Sequence, residues 1–251
     1  MPPRIAIPMP HSTDLEYAQR AIPQYERALA LAGGIPVRIP LDQAAGELKN
    51  IIAGCDGVLL PGSKADVNPA KFHQAVSVHA AAADTRREEV DFLLLDDAYA
   101  RRKPVLGICY GLQSLNVYRN GTLIQHIPDF LPEAARNRVD HEAGRSVAVA
   151  HTVEIVAKSN LNRIVKSTGF DGAPDKLTLP VNSSHHQSAD AIGEGLLIVA
   201  HCPEDGIVEA LEAASSDHFV LAVQWHPERS VDQDECSSSI FKALVQASKE
   251  R

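Results

Sequence analysis

The stretch "KPVLGICYGLQSLN", Lys103 to Asn116, sets a cysteine between two glycines, where an apolar run gives way to a helix-like segment. "PVLGIC" (104–109) reads as a buried strand, and "YGLQSLNVYRNG" (110–121) as a helix ended by Gly121. A strand that turns sharply into a helix exposes the turning residue at the carboxyl edge of the sheet, where open α/β folds place their ligands. The positive end of the helix also favours a thiolate over a thiol. Glycines two residues before and after, Gly107 and Gly111, let such a turn close without side-chain collision. A structural cysteine would need neither. A G-x-C-x-G match alone can still arise by chance, so the rest of the chain has to decide.

Outward from this turn, the first half alternates short apolar runs with helical segments. "RIAIPMP" (4–10), "IPVRIP" (35–40) and "DGVLLPG" (56–62) read as strands. Helices are expected over 23–34, with Pro23 in its first turn and Gly33 and Gly34 closing it, over 46–54 and over 85–102. This alternation implies a parallel sheet covered by helices on both faces. The second half changes character. "RSVAVAHTVEIVA" (145–157) and "EGLLIVAHCPEDGIVEALEAA" (194–214) alternate as antiparallel strands do, with "PEDG" as a hairpin turn. "HFVLAVQWHPE" (218–228) is one more strand running into a loop, and an amphipathic helix closes the chain from Ser237. There is no internal repeat or linker, which points to one domain. The segment Pro128–Arg145 has little periodicity and reads either as a loop near the site or as a plain surface connection.

Composition narrows the function classes. The chain has 251 residues and a net charge of −8, and its short basic run "RRK" (101–103) reads as a solvated helix end. Nucleic-acid binding is therefore not expected. No signal-peptide-like or membrane-length apolar run is present, so a cytoplasmic protein that does not bind membranes is expected. Cys55, Cys109, Cys202 and Cys236 are scattered without a C-x-x-C pair, so free thiols are expected.

A thiolate nucleophile needs an imidazole to share its proton and a third group to orient the ring. "QWHPE" offers both, His226 and Glu228, at the end of another strand. An isolated H-P-E would read as a surface turn; paired with the cysteine turn it reads as chemistry. "LLPGS", "PVLGICYGLQSLN", "NSSHHQ" and "LAVQWHPE", in that order, resemble the class I glutamine amidotransferase superfamily. "DVNPA" (66–70) and "NSSHHQ" (182–187) resemble more narrowly its γ-glutamyl hydrolase-like branch, peptidase family C26, which includes γ-glutamyl-γ-aminobutyrate hydrolases. The resemblance spans nearly the whole chain. It implies one α/β amidotransferase-like domain over 1–251: a flavodoxin-like three-layer fold with a central, mostly parallel sheet and antiparallel additions in the C-terminal half.

The resemblance also implies a triad of Cys109, His226 and Glu228 that hydrolyses a γ-glutamyl amide through a thioester. Oxyanion donors would be the backbone N–H groups of Tyr110 and of Gly62 or Ser63. Gln113 occupies the position of a substrate-contacting glutamine, or serves as a helix residue bonding a neighbour. Ser184, His185 and His186 are substrate-binding candidates, although Ser183 or His185 could equally satisfy backbone groups. His151 reads as structural or supporting. Two departures stand out: Ser63 and Lys64 replace glycines common in the branch, and Tyr110 replaces a common arginine, which bears on selectivity. Adjacent histidines in an extended segment point to opposite faces, and no acidic or cysteine ligand lies near them in sequence. No metal and no cofactor are therefore expected. The partner expected is a small γ-glutamyl substrate, with a homodimer anticipated from base rates. Two alternatives stay open: a glutaminase subunit feeding a separate synthase, and a catalytically silent binding protein of the same fold.

Overall fold

The computed structural model describes residues 1–136, 138–170 and 177–250. Its first half runs β1 (Arg4–Pro8), α1 (Leu15–Leu31), β2 (Ile35–Ile39), α2 (Ala45–Ala53), β3 (Gly57–Leu60), α3 (Thr85–Arg101), β4 (Val105–Ile108) and α4 (Tyr110–Tyr118). The second half adds β5 (Leu123–Ile124), α5 (Ile127–Phe130), β6 (His151–Ile155), α6 (Asn160–Lys166), β7 (Leu177–Val181), β8 (Ser188–Ala189), β9 (Leu196–His201), β10 (Val208–Ala213), β11 (Val220–Val223) and α7 (Glu235–Lys249). Among the described residues, nine strands form one sheet in the order β2-β1-β3-β4-β11-β10-β9-β6-β7. The pairings from β2 to β11 are parallel, and those from β11 through β10, β9 and β6 to β7 are antiparallel. The mixed α/β architecture expected from the sequence is what forms.

Side-chain alternation along the strands divides the core between two faces. Ile5, Ile7, Leu59, Leu106 and Ile108 pack with Tyr25 and Leu29 of α1 and with Phe241 and Leu244 of α7. Ala6, Val58, Leu60 and Val105 pack with Leu94 of α3 and with Leu112 and Leu115 of α4 on the opposite face. Strands β3 and β4 are buried at every position, as their uniformly apolar sequences require. Among the described residues, no helix is long and apolar enough to cross a membrane.

Some local expectations are corrected. Helix α1 begins at Leu15, not near Pro23, because Asp14 caps it by accepting the Tyr17 N–H. Pro23 therefore lies inside the helix. The expected C-terminal closure is present: Gly34 N–H donates to Leu29 O, and Gly33 takes φ +86°, where a side chain would be strained. The "RRK" run is split. Arg101 and Arg102 are exposed, but Lys103 is fully buried, its Nζ 2.8 Å from Ile52 O and 2.5 Å from Asp97 Oδ2. Composition alone could not show that a lysine in a basic run would be drawn inward by a carboxylate six residues earlier.

Candidate active site

Three neighbouring parallel strands, β3, β4 and β11, bring the site together at their carboxyl ends. Leu60 sits opposite Gly107, and Val223 opposite Ile108, so the residues that follow emerge side by side. Cys109 follows β4 directly and has φ 53° and ψ −106°. A cysteine held at positive φ costs on the order of 1–3 kcal/mol, which the packing around it must offset. That packing explains both glycines. A Cβ on Gly107 would lie 2.8 Å from Gly111 O, and one on Gly111 would lie 2.2 Å from Leu60 O. The expected turn therefore forms, and it forms under steric compression that only glycine allows.

His226 and Glu228 meet Cys109 here. The His226 Nδ1–H donates to Glu228 Oε1 at 2.8 Å, and Cys109 lies beside the same imidazole, close enough for its charge to act on the ring. Burial by itself would lower the pKa of His226, but the charges of Glu228 and Cys109 outweigh it and hold the pKa at about 9. For Glu228, burial works to raise the pKa, and His226 reverses the sign so that the carboxylate is favoured. The imidazole is also fixed through its backbone. Asn182 Nδ2 donates to His226 O at 2.9 Å, and His226 N–H donates to Asn182 Oδ1 at 3.0 Å. Sequence reading passed over Asn182, although it stands at the head of the "NSSHHQ" run.

Cys109, His226 and Glu228 open onto a cavity of about 280 Å³. Ser63, Tyr110, Gln113, Ser184, His185 and His186 line it as well. The Gly62 N–H is taken up by the Tyr25 hydroxyl at 3.1 Å, whereas Ser63 and Tyr110 line the cavity. The Tyr110 ring is buried with Val67, Phe72, Val117 and Leu123, and the Arg87 guanidinium lies 4.9 Å from its centroid. Gln113 Nε2 donates to Gln187 O at 3.2 Å and lies 3.4 Å from Gln224 Oε1. Ser184 Oγ accepts from Arg229 Nη1 at 2.9 Å, and Ser183 Oγ donates to His141 O at 2.8 Å.

The two branch-specific motifs touch: His186 Nε2 lies 3.0 Å from Asp66 Oδ1 of "DVNPA". His185 behaves differently. Its Nδ1 donates to Gln187 O at 2.9 Å, and its Nε2 faces Glu209 rather than the cysteine. From the unperiodic 128–145 segment, Gly144 and Arg145 reach the cavity wall.

Arg87 was not legible as part of this region. It is fully buried and pairs with Asp91 at 2.6 Å. Its Nη2 also donates to Pro61 O at 2.7 Å and its Nη1 to Pro10 O at 3.1 Å, holding the loop after β3. All four cysteines are free thiols, as expected.

The peptidase C26 family profile matches residues 6–228. The chain belongs to the peptidase C26 family. Family membership supports a hydrolase. A glutamine amidotransferase-like protein of Rickettsia prowazekii is 32% identical, covering 90% of this chain and 88% of that one. The γ-glutamyl-γ-aminobutyrate hydrolase PuuD of Escherichia coli is 30% identical, covering 89% of this chain and 84% of the relative. Among solved structures, the glutaminase domain of a Trypanosoma brucei CTPS aligns with a TM-score of 0.61 at 18% identity, covering 99% of this chain and 94% of that one. That likeness concerns the fold.

Proposed function

We propose that this peptidase C26 member hydrolyses a γ-glutamyl amide with Cys109 as nucleophile, His226 as proton shuttle and Glu228 as the group that orients it. The observation that carries the proposal is His226 held between the Cys109 thiol and Glu228 at the wall of a cavity. The Cys109 sulfur attacks the δ-carbonyl, and the resulting oxyanion takes hydrogen bonds from the N–H groups of Ser63 and Tyr110. Donors of this kind are typically worth about 3 kcal/mol each. His226 then protonates the departing amine as the C–N bond breaks, leaving a γ-glutamyl thioester. Water, deprotonated by the now neutral His226, cleaves the thioester, releasing glutamate and restoring the thiol. The exposed guanidinium groups of Arg20 and Arg145 on the cavity wall suit a substrate that carries a carboxylate. Glutamine and γ-glutamyl-γ-aminobutyrate both carry the glutamyl α-carboxylate, but only the latter has a second, on the amine it releases.

The second reading is a glutaminase subunit that passes ammonia to a separate synthase, favoured by the 32% identity to a glutamine amidotransferase-like protein. Purified protein without any partner is to be assayed for glutamate release from γ-glutamyl-γ-aminobutyrate and from glutamine. Preference for the γ-glutamyl amine is the expected result. Turnover of glutamine alone, rising when a synthase is added, would replace this reading with the second.

A further inference from the structure

Beside the cavity lies a second constellation that the proposed chemistry does not use. Four buried side chains converge there: His141 from the segment before β6, His151 at the start of β6, His185 after β7, and Glu209 in β10. Glu209 Oε1 lies 3.3 Å from His141 Nδ1, 3.4 Å from His151 Nε2 and 3.6 Å from His185 Nε2. Among the described residues, none of these four atoms has a hydrogen-bond partner, and Glu209 Oε2 has none either. Unpaired polar atoms at such depth are costly, and native folds carry only a few per hundred residues, seldom gathered together. Five at one point call for a missing counterpart.

The far side of each ring identifies that counterpart. His141 Nε2 is 2.9 Å from Asp205 Oδ2, His151 Nδ1 is 3.1 Å from Thr152 O, and His185 Nδ1 is 2.9 Å from Gln187 O. A carbonyl or carboxylate can only accept, so each outer nitrogen carries a proton, and in the neutral ring the inner nitrogen turns a lone pair toward the carboxylate. With neutral rings, three lone pairs and an anion face one another, and a metal cation between them relieves the repulsion. Metal-bound histidines are oriented in this way, by a carboxylate or carbonyl on the second nitrogen. The three distances from Glu209 agree too. Ligands about 2.0–2.2 Å from a tetrahedral ion stand about 3.3–3.6 Å from one another.

We propose that His141, His151, His185 and Glu209 form a closed, four-ligand site for a divalent transition metal ion, with zinc the best match to three imidazoles and one carboxylate. A second cavity, of about 280 Å³ and lined by His141 and His185, gives the ion a route from the surface. Four protein ligands fill a tetrahedral shell, so the ion is structural and activates no water. Its effect on the catalytic cavity is positional. The site ties the segment bearing Gly144 and Arg145 to the one bearing Ser184 and His186, which are already linked through Gly144 N–H to Ser183 O and His185 N–H to His141 O. The sequence hid the site because its ligands come from four separate segments, with the acidic member on a different strand.

The test is the metal content of the purified full-length protein grown with zinc, together with the visible spectrum of protein refolded with cobalt(II). About one zinc per chain and the absorption of tetrahedral cobalt are expected, both lost in Glu209→Gln and in His151→Gln. Zinc removal should lower Tm and raise KM more than it lowers kcat. Folded wild-type protein that retains no transition metal and takes up neither zinc nor cobalt would overturn the proposal, leaving a cluster held by protons. Metal retained undiminished in both variants would overturn it equally.

Discussion

At the scale of single residues, the proposed chemistry rests on which atom holds the proton. His226 keeps its imidazolium up to about pH 9 because Glu228 and Cys109 both favour the charged ring. The rate of acylation, read as kcat/KM, is expected to fall above about pH 9 as the proton for the departing amine is lost. The same shift has a sign for stability. A pKa raised above the ordinary 6.5 contributes fully below that value and is lost as pH rises through about 9. Replacing Glu228 with glutamine removes the largest charge that raises it, so the alkaline limb should move to lower pH and kcat should fall. A pH–rate profile of both proteins checks this. An unmoved limb would mean that Glu228 does not tune the ring. The loss should be smaller than for Cys109→Ala, since an orienting group is usually less costly to remove than a nucleophile.

At the scale of elements, the turn between β4 and α4 depends on close backbone approach. Gly111→Ala would drive a Cβ into the Leu60 carbonyl, 2.2 Å away, and neither backbone can yield without moving β3. A loss of about 1–3 kcal/mol or more is expected in denaturant unfolding. Gly46→Ala in α2 is the control: nothing lies within 4 Å of its Cβ, and alanine there should be neutral or stabilise by about 0.5–1 kcal/mol. Helix α3 poses a different question, since its buried Arg87 holds the loop after β3 and neutralises Asp91. Arg87→Met should cost about 3–5 kcal/mol by leaving a buried carboxylate unpaired, with part of that recovered in Arg87→Met/Asp91→Leu. Equal stability of the single and double variants would show that the unpaired Asp91 carboxylate is not what destabilises Arg87→Met.

Elements with a strong periodic or compositional signature were legible, including β1 to β4, α2, α3, the β9–β10 hairpin and α7. The start of α1 was not, because Pro23 reads locally as a helix beginning while the Asp14 cap and the packing of Ala18 and Ala21 extend the helix backward through it. Strands β5, β7 and β8 and helices α5 and α6 are short and have weak signals of their own; pairing with neighbours defines the strands.

At the scale of the whole molecule, the strand order decides what the sequence could reveal. "LLPGS", "GICYG" and "QWHPE" are far apart in sequence, yet each ends a strand in the row β3-β4-β11, so strand-end motifs were enough to find the candidate triad. Asn182, Arg87 and Glu209 escaped notice because their roles depend on which elements lie across from them. The fold also separates the four cysteines by access. Cys109 opens onto the cavity, whereas Cys55, Cys202 and Cys236 are enclosed in packed cores. Brief treatment of the native protein with iodoacetamide should therefore alkylate Cys109 selectively, as read by peptide mass spectrometry. Comparable labelling of Cys202 or Cys236 would contradict the packing described.

The most direct measurement is glutamate release from γ-glutamyl-γ-aminobutyrate by wild-type protein and Cys109→Ala, side by side and with equal thermal stability confirmed. Turnover is expected in the wild type and none above background in the variant. Release that survives the loss of the Cys109 sulfur would contradict the proposed chemistry.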